Sequence, residues 1–71
     1  MTTTFLSSGD LIVDRRAHYA QMLAEAGEFS SAADLMEQAL NDAPGWAAGW
    51  MMAGGYHLKA DALGRAIAAW Q

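Results

Sequence analysis

The chain has 71 residues, 54% of them apolar and 17% charged, with a formal net charge of -4 and no cysteine. That apolar share excludes a disordered tail, the length allows one small domain or part of one, and the missing cysteines exclude a disulfide framework and a thiolate metal site. The only basic residues are Arg15, Arg16, Lys59 and Arg65; they form no stripe able to neutralise phosphates, so no nucleic-acid partner is expected.

Residues 1–9 read as a polar lead, rich in Ser and Thr around Phe5 and Leu6. It has neither the positive charge nor the apolar core of a signal peptide, and a cytoplasmic location is the expectation. Residues 10–71 read as one helical domain, because the apolar surplus is chiefly alanine with Leu, Met and Trp, and runs of β-branched residues are missing. The first helix starts after Ser8-Gly9-Asp10 and runs to Ala26. Leu11, Ile12, Tyr19, Met22, Leu23 and Ala26 recur at helical spacing and form its expected buried face. Gly27 stops it.

The second helix opens at Phe29-Ser30-Ser31, where Ser31 and Asp34 have the spacing of a capping box. Ala32, Leu35, Met36, Ala39 and Leu40 are its apolar face, and Asn41-Asp42-Ala43-Pro44-Gly45 ends it. The short connection to the first helix requires the two to lie antiparallel. A third helix is expected over Trp46 to Leu58. Within it Gly49, Gly54 and Gly55 each cost about 1 kcal/mol relative to alanine. Such residues fit where another helix approaches closely, with Gly54 placed at the crossing. Asp61 is then expected to cap a fourth helix whose buried stripe is Ala62, Leu63, Ala66, Ile67 and Trp70. The uncharged run from Ala43 to Leu58 falls short of the roughly 20 apolar residues of a membrane span, and Pro44 and His57 interrupt it, so no membrane association is expected.

The two halves repeat each other at a spacing of about 34 residues. Ala32 maps onto Ala66, Ala33 onto Ile67, Met36 onto Trp70 and Ala20 onto Gly54. In the first unit, about 13–46, Tyr19, Ala20 and Leu23 are followed by Gly27 and Phe29, then Ala32, Met36, Ala39-Leu40 and Pro44. In the second, about 47–71, the matching residues are Trp50, Gly54, Leu63, Ala66 and Trp70. This pattern resembles the tetratricopeptide repeat, although Arg16 replaces the usual first large residue and Asp61 stands where the turn glycine belongs. The resemblance implies an all-α fold of about four helices in antiparallel hairpins, one complete repeat and most of another, forming a fragment of a right-handed α-solenoid. It also implies a module that binds another protein or peptide, or a downstream domain of its own parent, and performs no chemistry.

A narrower resemblance lies in Phe5-Leu6-Ser7-Ser8-Gly9-Asp10-Leu11-Ile12 followed by Asp14-Arg15-Arg16. This stretch is similar to the start of bacterial predicted methyltransferases in which tetratricopeptide repeats precede an S-adenosylmethionine-dependent domain. It implies, as the alternative, that the chain is the repeat segment of such an enzyme. No strand followed by a Gly-rich loop and a helix is present to cradle that cofactor, so no cofactor is assigned to this chain.

Catalytic constellations are missing from the pattern. His18 and His57 stand in different helices without zinc-ligand spacing, and the serines at 7, 8, 30 and 31 sit where helices begin and read as caps. Asp34 and Glu37 read as a solvated face, and Trp46, Trp50, Tyr56 and Trp70 as core. The family analogy puts the first helix of each unit on the concave surface. That gives a mildly acidic, partly apolar groove of Asp14, Ala17, Gln21 and Glu25 with Met51, Leu58 and Lys59. Leu63, Ile67 and Trp70 would stay uncovered on their outer side, so the chain is expected to self-associate through its last helix, to dock onto a downstream segment or to remain partly molten.

Overall fold

The computed structural model describes residues 7–70, apart from the Trp70 side chain, so the expectations for Phe5, Leu6 and the burial of Trp70 lie outside the described residues. Three helices follow one another: α1 over Leu11–Glu25, α2 over Phe29–Asp42 and α3 over Ala47–Trp70. No strand occurs among the described residues.

Local chemistry sets the ends of α1. Asp10 has extended backbone angles, and its carboxylate accepts from the N–H groups of Ile12 at 2.9 Å and Val13 at 3.2 Å. Two of the four orphan donors of the first turn are thereby satisfied. At the other end Gly27 takes φ +83°, the left-handed conformation in which a side chain is strained. Its N–H donates to the Ala24 carbonyl at 3.0 Å and that of Glu28 to the Leu23 carbonyl at 2.9 Å. This pair of bonds is a Schellman motif. It turns the chain within three residues and lays α2 back along α1.

Helix α2 begins two residues before Ser31, which corrects the expected capping box. Glu28 is the N-cap and makes no side-chain capping bond, while its carbonyl accepts from Ala32 N at 2.9 Å. The Schellman turn dictates where the helix starts, so Ser31 and Asp34 lie inside it. Pro44, lacking an N–H, ends the helix; Trp46 N then closes the turn onto the Ala43 carbonyl at 3.1 Å. The Trp50 indole ties it from above, donating to the Pro44 carbonyl at 2.8 Å.

Helix α2 is the centre of the molecule and packs against both α1 and α3. Its buried side chains are Ala32, Ala33, Met36, Ala39 and Leu40, close to the expected face, with Leu35 half-buried. Met36 and Val13 are the largest fully buried side chains. On α1 the outcome differs from the expectation. Val13, Ala17 and Ala20 are buried, Leu23 and Ala24 pack at the margin, and Leu11, Ile12, Tyr19, Met22 and Ala26 are exposed. The inward face is rotated by one residue, about 100° around the axis. Both helices turn mainly alanine inward, Ala17 and Ala20 from α1 and Ala32, Ala33 and Ala39 from α2, and such small side chains let backbones approach closely. The bulkier side chains would hold the helices apart.

The expected fourth helix is not separate. α3 runs unbroken for 24 residues, and Asp61 lies within it rather than capping a new one. The stretch Leu58-Lys59-Ala60-Asp61-Ala62 consists of residues a helix tolerates, with neither Gly nor Pro to break it. Asp61 also pairs with Arg65 one turn on, at 2.8 Å, which supports continuity. Only the first half of α3 reaches the core, through Gly49 and Ala53 with Met52 and Tyr56 partly buried, and residues 61–69 are all exposed. Leu63, Ala66 and Ile67 therefore do not form a buried stripe.

The glycine expectation is corrected as well. Gly54 and Gly55 face open space, whereas Gly49 is the crowded one. A Cβ there would stand 2.8 Å from Trp46 Cδ2 and 2.9 Å from Leu40 Cδ2.

Candidate functional site

Helices α1 and α3 both pack against α2 and run in the same direction. Two observations fix this. Ser8 and Asp10, at the start of α1, share a cleft of about 510 Å³ with Gly45, Trp46 and Ala48 at the start of α3. At the far end the Glu25 carboxylate acts on the Tyr56 hydroxyl, which burial first and that negative charge second push above the usual phenol range.

The cleft holds two carboxylates, both engaged. Asp10 caps α1, and Asp42 forms an ion pair with Arg16 at 2.7 Å that joins the end of α2 to α1. Just above it Asp14 collects the lead segment. Ser7 Oγ donates to one of its oxygens at 2.5 Å, and the N–H and Oγ of Ser8 donate to the other at 2.8 and 2.7 Å. These hydrogen bonds, the Ser7 hydroxyl foremost, hold the Asp14 carboxyl below the usual carboxylate range. Gly9 sits in the turn at φ +86°. Ser7, Ser8, Gly9, Asp10 and Asp14 thus form a device for starting a helix, which gives that stretch of sequence a local structural reason.

The seven groove residues fall into different situations. Ala17 is fully buried in the α1–α2 contact and presents nothing to a partner. Asp14 is committed to the two serines, Gln21 is half-exposed between the ends of α1, and Glu25 stands near Tyr56. On α3, Met51 and Leu58 are 79% and 71% exposed and point away from α2. Lys59 reaches over the Phe29 ring, its Nζ 5.5 Å from the centroid, a geometry in which the cation is drawn to the ring face. The structure brings Glu25, Tyr56 and Lys59 to one end and leaves Asp14 at the other.

Sequence reasoning missed the outer face of α1. Leu11, Ile12, Tyr19 and Met22 were expected inside and are instead exposed. Their helical spacing revealed a common face but not which side of the helix it occupies. His57 makes a hydrogen bond with the Glu37 carboxylate of α2 and so fastens α3 to its neighbour. Trp46 is buried, as the core reading has it, but Trp50 is largely exposed.

Among the described residues no three His, Asp or Glu side chains converge in a way that holds a metal ion. No polar or charged side chain there is buried without a partner. No helix there is long and apolar enough to cross a membrane. Comparison with protein-family models, with curated proteins and with solved structures finds no match to this chain.

Proposed function

We propose that the chain is a non-catalytic helical interaction module of the tetratricopeptide-like kind, taking a protein or peptide partner on the surface shared by α1 and α3. The observation that carries this reading is the partition of its apolar residues. The core is closed largely with alanine, while Leu11, Ile12, Tyr19, Met22, Trp50, Met51 and Leu58 are all more than half exposed. Single exposed hydrophobics are ordinary, but so many on adjacent helices mark a surface that is dry in some complex. Asp14, Gln21 and Glu25 border the partner along α1, and Met51, Leu58 and Lys59 contact it from α3, while the acidic balance favours a partner with basic and apolar side chains.

The test is affinity capture with the purified chain, repeated with Met51→Glu and Leu58→Glu. Both positions are exposed, so neither change disturbs the core. Proteins retained by the native chain and lost with both variants support the reading. Equal capture by all three chains removes Met51 and Leu58 from the surface.

A further inference from the structure

Two neighbouring glycines in α3 have no packing reason. Gly49 is crowded by Trp46 and Leu40, but at Gly54 and Gly55 a β-carbon would meet nothing within 4 Å. Both stand in the interior of a helix of 24 residues, where glycine is the least favourable residue after proline. Their position gives the pair its meaning. Ala53, immediately before it, is the last buried residue of α3 among the described residues. The turn after the pair meets the body only at the margin. Tyr56 is half-buried beside the core, His57 reaches the Glu37 carboxylate, and Lys59 lies over the Phe29 ring. The His57 and Glu37 side chains are both half in water and Lys59 is exposed, a setting in which such polar contacts contribute little. The helix thus divides at Gly54-Gly55 into a segment anchored in the core by Gly49 and Ala53 and a turn that is lightly held.

We propose that Gly54-Gly55 is a hinge, about which the turn from Tyr56 onward swings off α2 while residues 47–53 stay in place. Adjacent glycines are where helices bend sharply, since neither residue has a β-carbon to restrict its backbone. Swinging out breaks the helical hydrogen bonds that span the pair, those donated by the N–H groups of Tyr56, His57 and Leu58 to carbonyls one turn back. It also parts His57 from Glu37 and uncovers the Phe29 ring. Nothing buried deeper than Tyr56 has to leave the core. One consequence rests on the reading of the partner surface given above. Met51 stands before the joint and Leu58 and Lys59 after it, so a partner that holds both sides keeps α3 straight, and an open hinge divides the surface it would use.

Amide hydrogen exchange followed by NMR on the free chain tests the hinge, whether or not Met51 and Leu58 meet a partner. In the native chain Tyr56, His57 and Leu58 are expected to share one protection factor, roughly ten-fold below that of Met52 and Ala53. Gly54→Ala combined with Gly55→Ala should raise the protection of these three amides about ten-fold, towards that of Ala53. His57→Ala combined with Lys59→Ala should lower it, with Ala53 keeping its own. Protection graded evenly through 56–58, with no step after Ala53, would be fraying that reaches inward from the far half, and it overturns the proposal. So do three amides as well protected as Ala53, or a step that the two alanines leave unchanged.

Discussion

The Trp46 indole lies across the face of Gly49, so close that a β-carbon on the glycine would stand 2.8 Å from Cδ2 of the ring. Leu40 closes the same spot from α2. The glycine is what allows a buried tryptophan to sit at the joint between α2 and α3.

Gly49→Ala is therefore expected to lower the melting temperature. Alanine gains about 1 kcal/mol of helix propensity, but the crowding costs about 1–3 kcal/mol and outweighs it. Gly54→Ala and Gly55→Ala meet open space and should raise the melting temperature, each adding up to about 1 kcal/mol of stability. Thermal melts of the three variants decide, and a stabilised Gly49→Ala would show that the indole moves aside cheaply.

The two ends of α1 are expected to respond to single substitutions. Asp10→Ala removes the acceptor of two backbone bonds and should cost about 0.5–2 kcal/mol. Gly27→Ala forces a side chain into a left-handed residue, at about 1–2 kcal/mol. Denaturant unfolding measures both, and a neutral Gly27→Ala would mean that the turn can be made another way.

Met36 is fully buried in the core that α2 forms with its neighbours. Met36→Ala leaves a cavity at the centre of a small core, so a loss of about 2–5 kcal/mol is expected. Against a total stability of about 5–15 kcal/mol for an ordinary domain, this variant should be largely unfolded on warming, as circular dichroism would report.

Asp14 gives the acid response. Its carboxyl is depressed in the folded chain, so its contribution is fully present above the ordinary value of 3.8 and is lost as pH falls through the lower folded value. Ser7→Ala combined with Ser8→Ala removes two of its three donors. The Asp14 titration followed by NMR should move up towards 3.8, and acid unfolding should begin at higher pH. Coincident titrations in both chains would mean that the serines do not hold the carboxylate in solution.

Tyr56 gives the alkaline counterpart. In a Tyr19→Phe background a single phenol titrates, above its usual value of 10.0. Because the folded value is raised, the contribution to stability is present below 10 and is lost as pH rises through the folded value. Glu25→Gln removes the second cause and leaves burial, so ultraviolet titration should show part of the elevation gone. An unchanged curve would separate α1 from α3 at that end.

Helix ends were legible in the sequence where backbone chemistry alone decides them. Gly27, Pro44 and Asp10 constrain φ, the donor inventory or the cap whatever surrounds them. The α2 face was legible because its alternatives are polar. The α1 face was not, since the apolar area open to burial ranks Ile12 and Tyr19 above Ala17 and Ala20, while close helix contact ranks them the other way. Which glycine is crowded depends on where a distant indole comes to rest. The break expected at Asp61 came from reading an aspartate as an N-cap; the local residues around it favour a continuing helix. Of the groove residues, Glu25, Met51, Leu58 and Lys59 are exposed, while Ala17 is buried for the same reason as the α1 face.

The central place of α2 also bears on how the chain acquires its structure. Both main packing contacts join helices adjacent in sequence, so no long loop has to close before a contact forms. Topologies of this kind fold on the microsecond-to-millisecond scale. The tight turn at Gly27 favours the α1–α2 pair as the nucleus, with the near half of α3 docking afterwards. The far half then gains nothing from the body, so its amides should exchange with solvent well ahead of those around Ala53. A single unbroken helix would thus be firm at one end and frayed at the other.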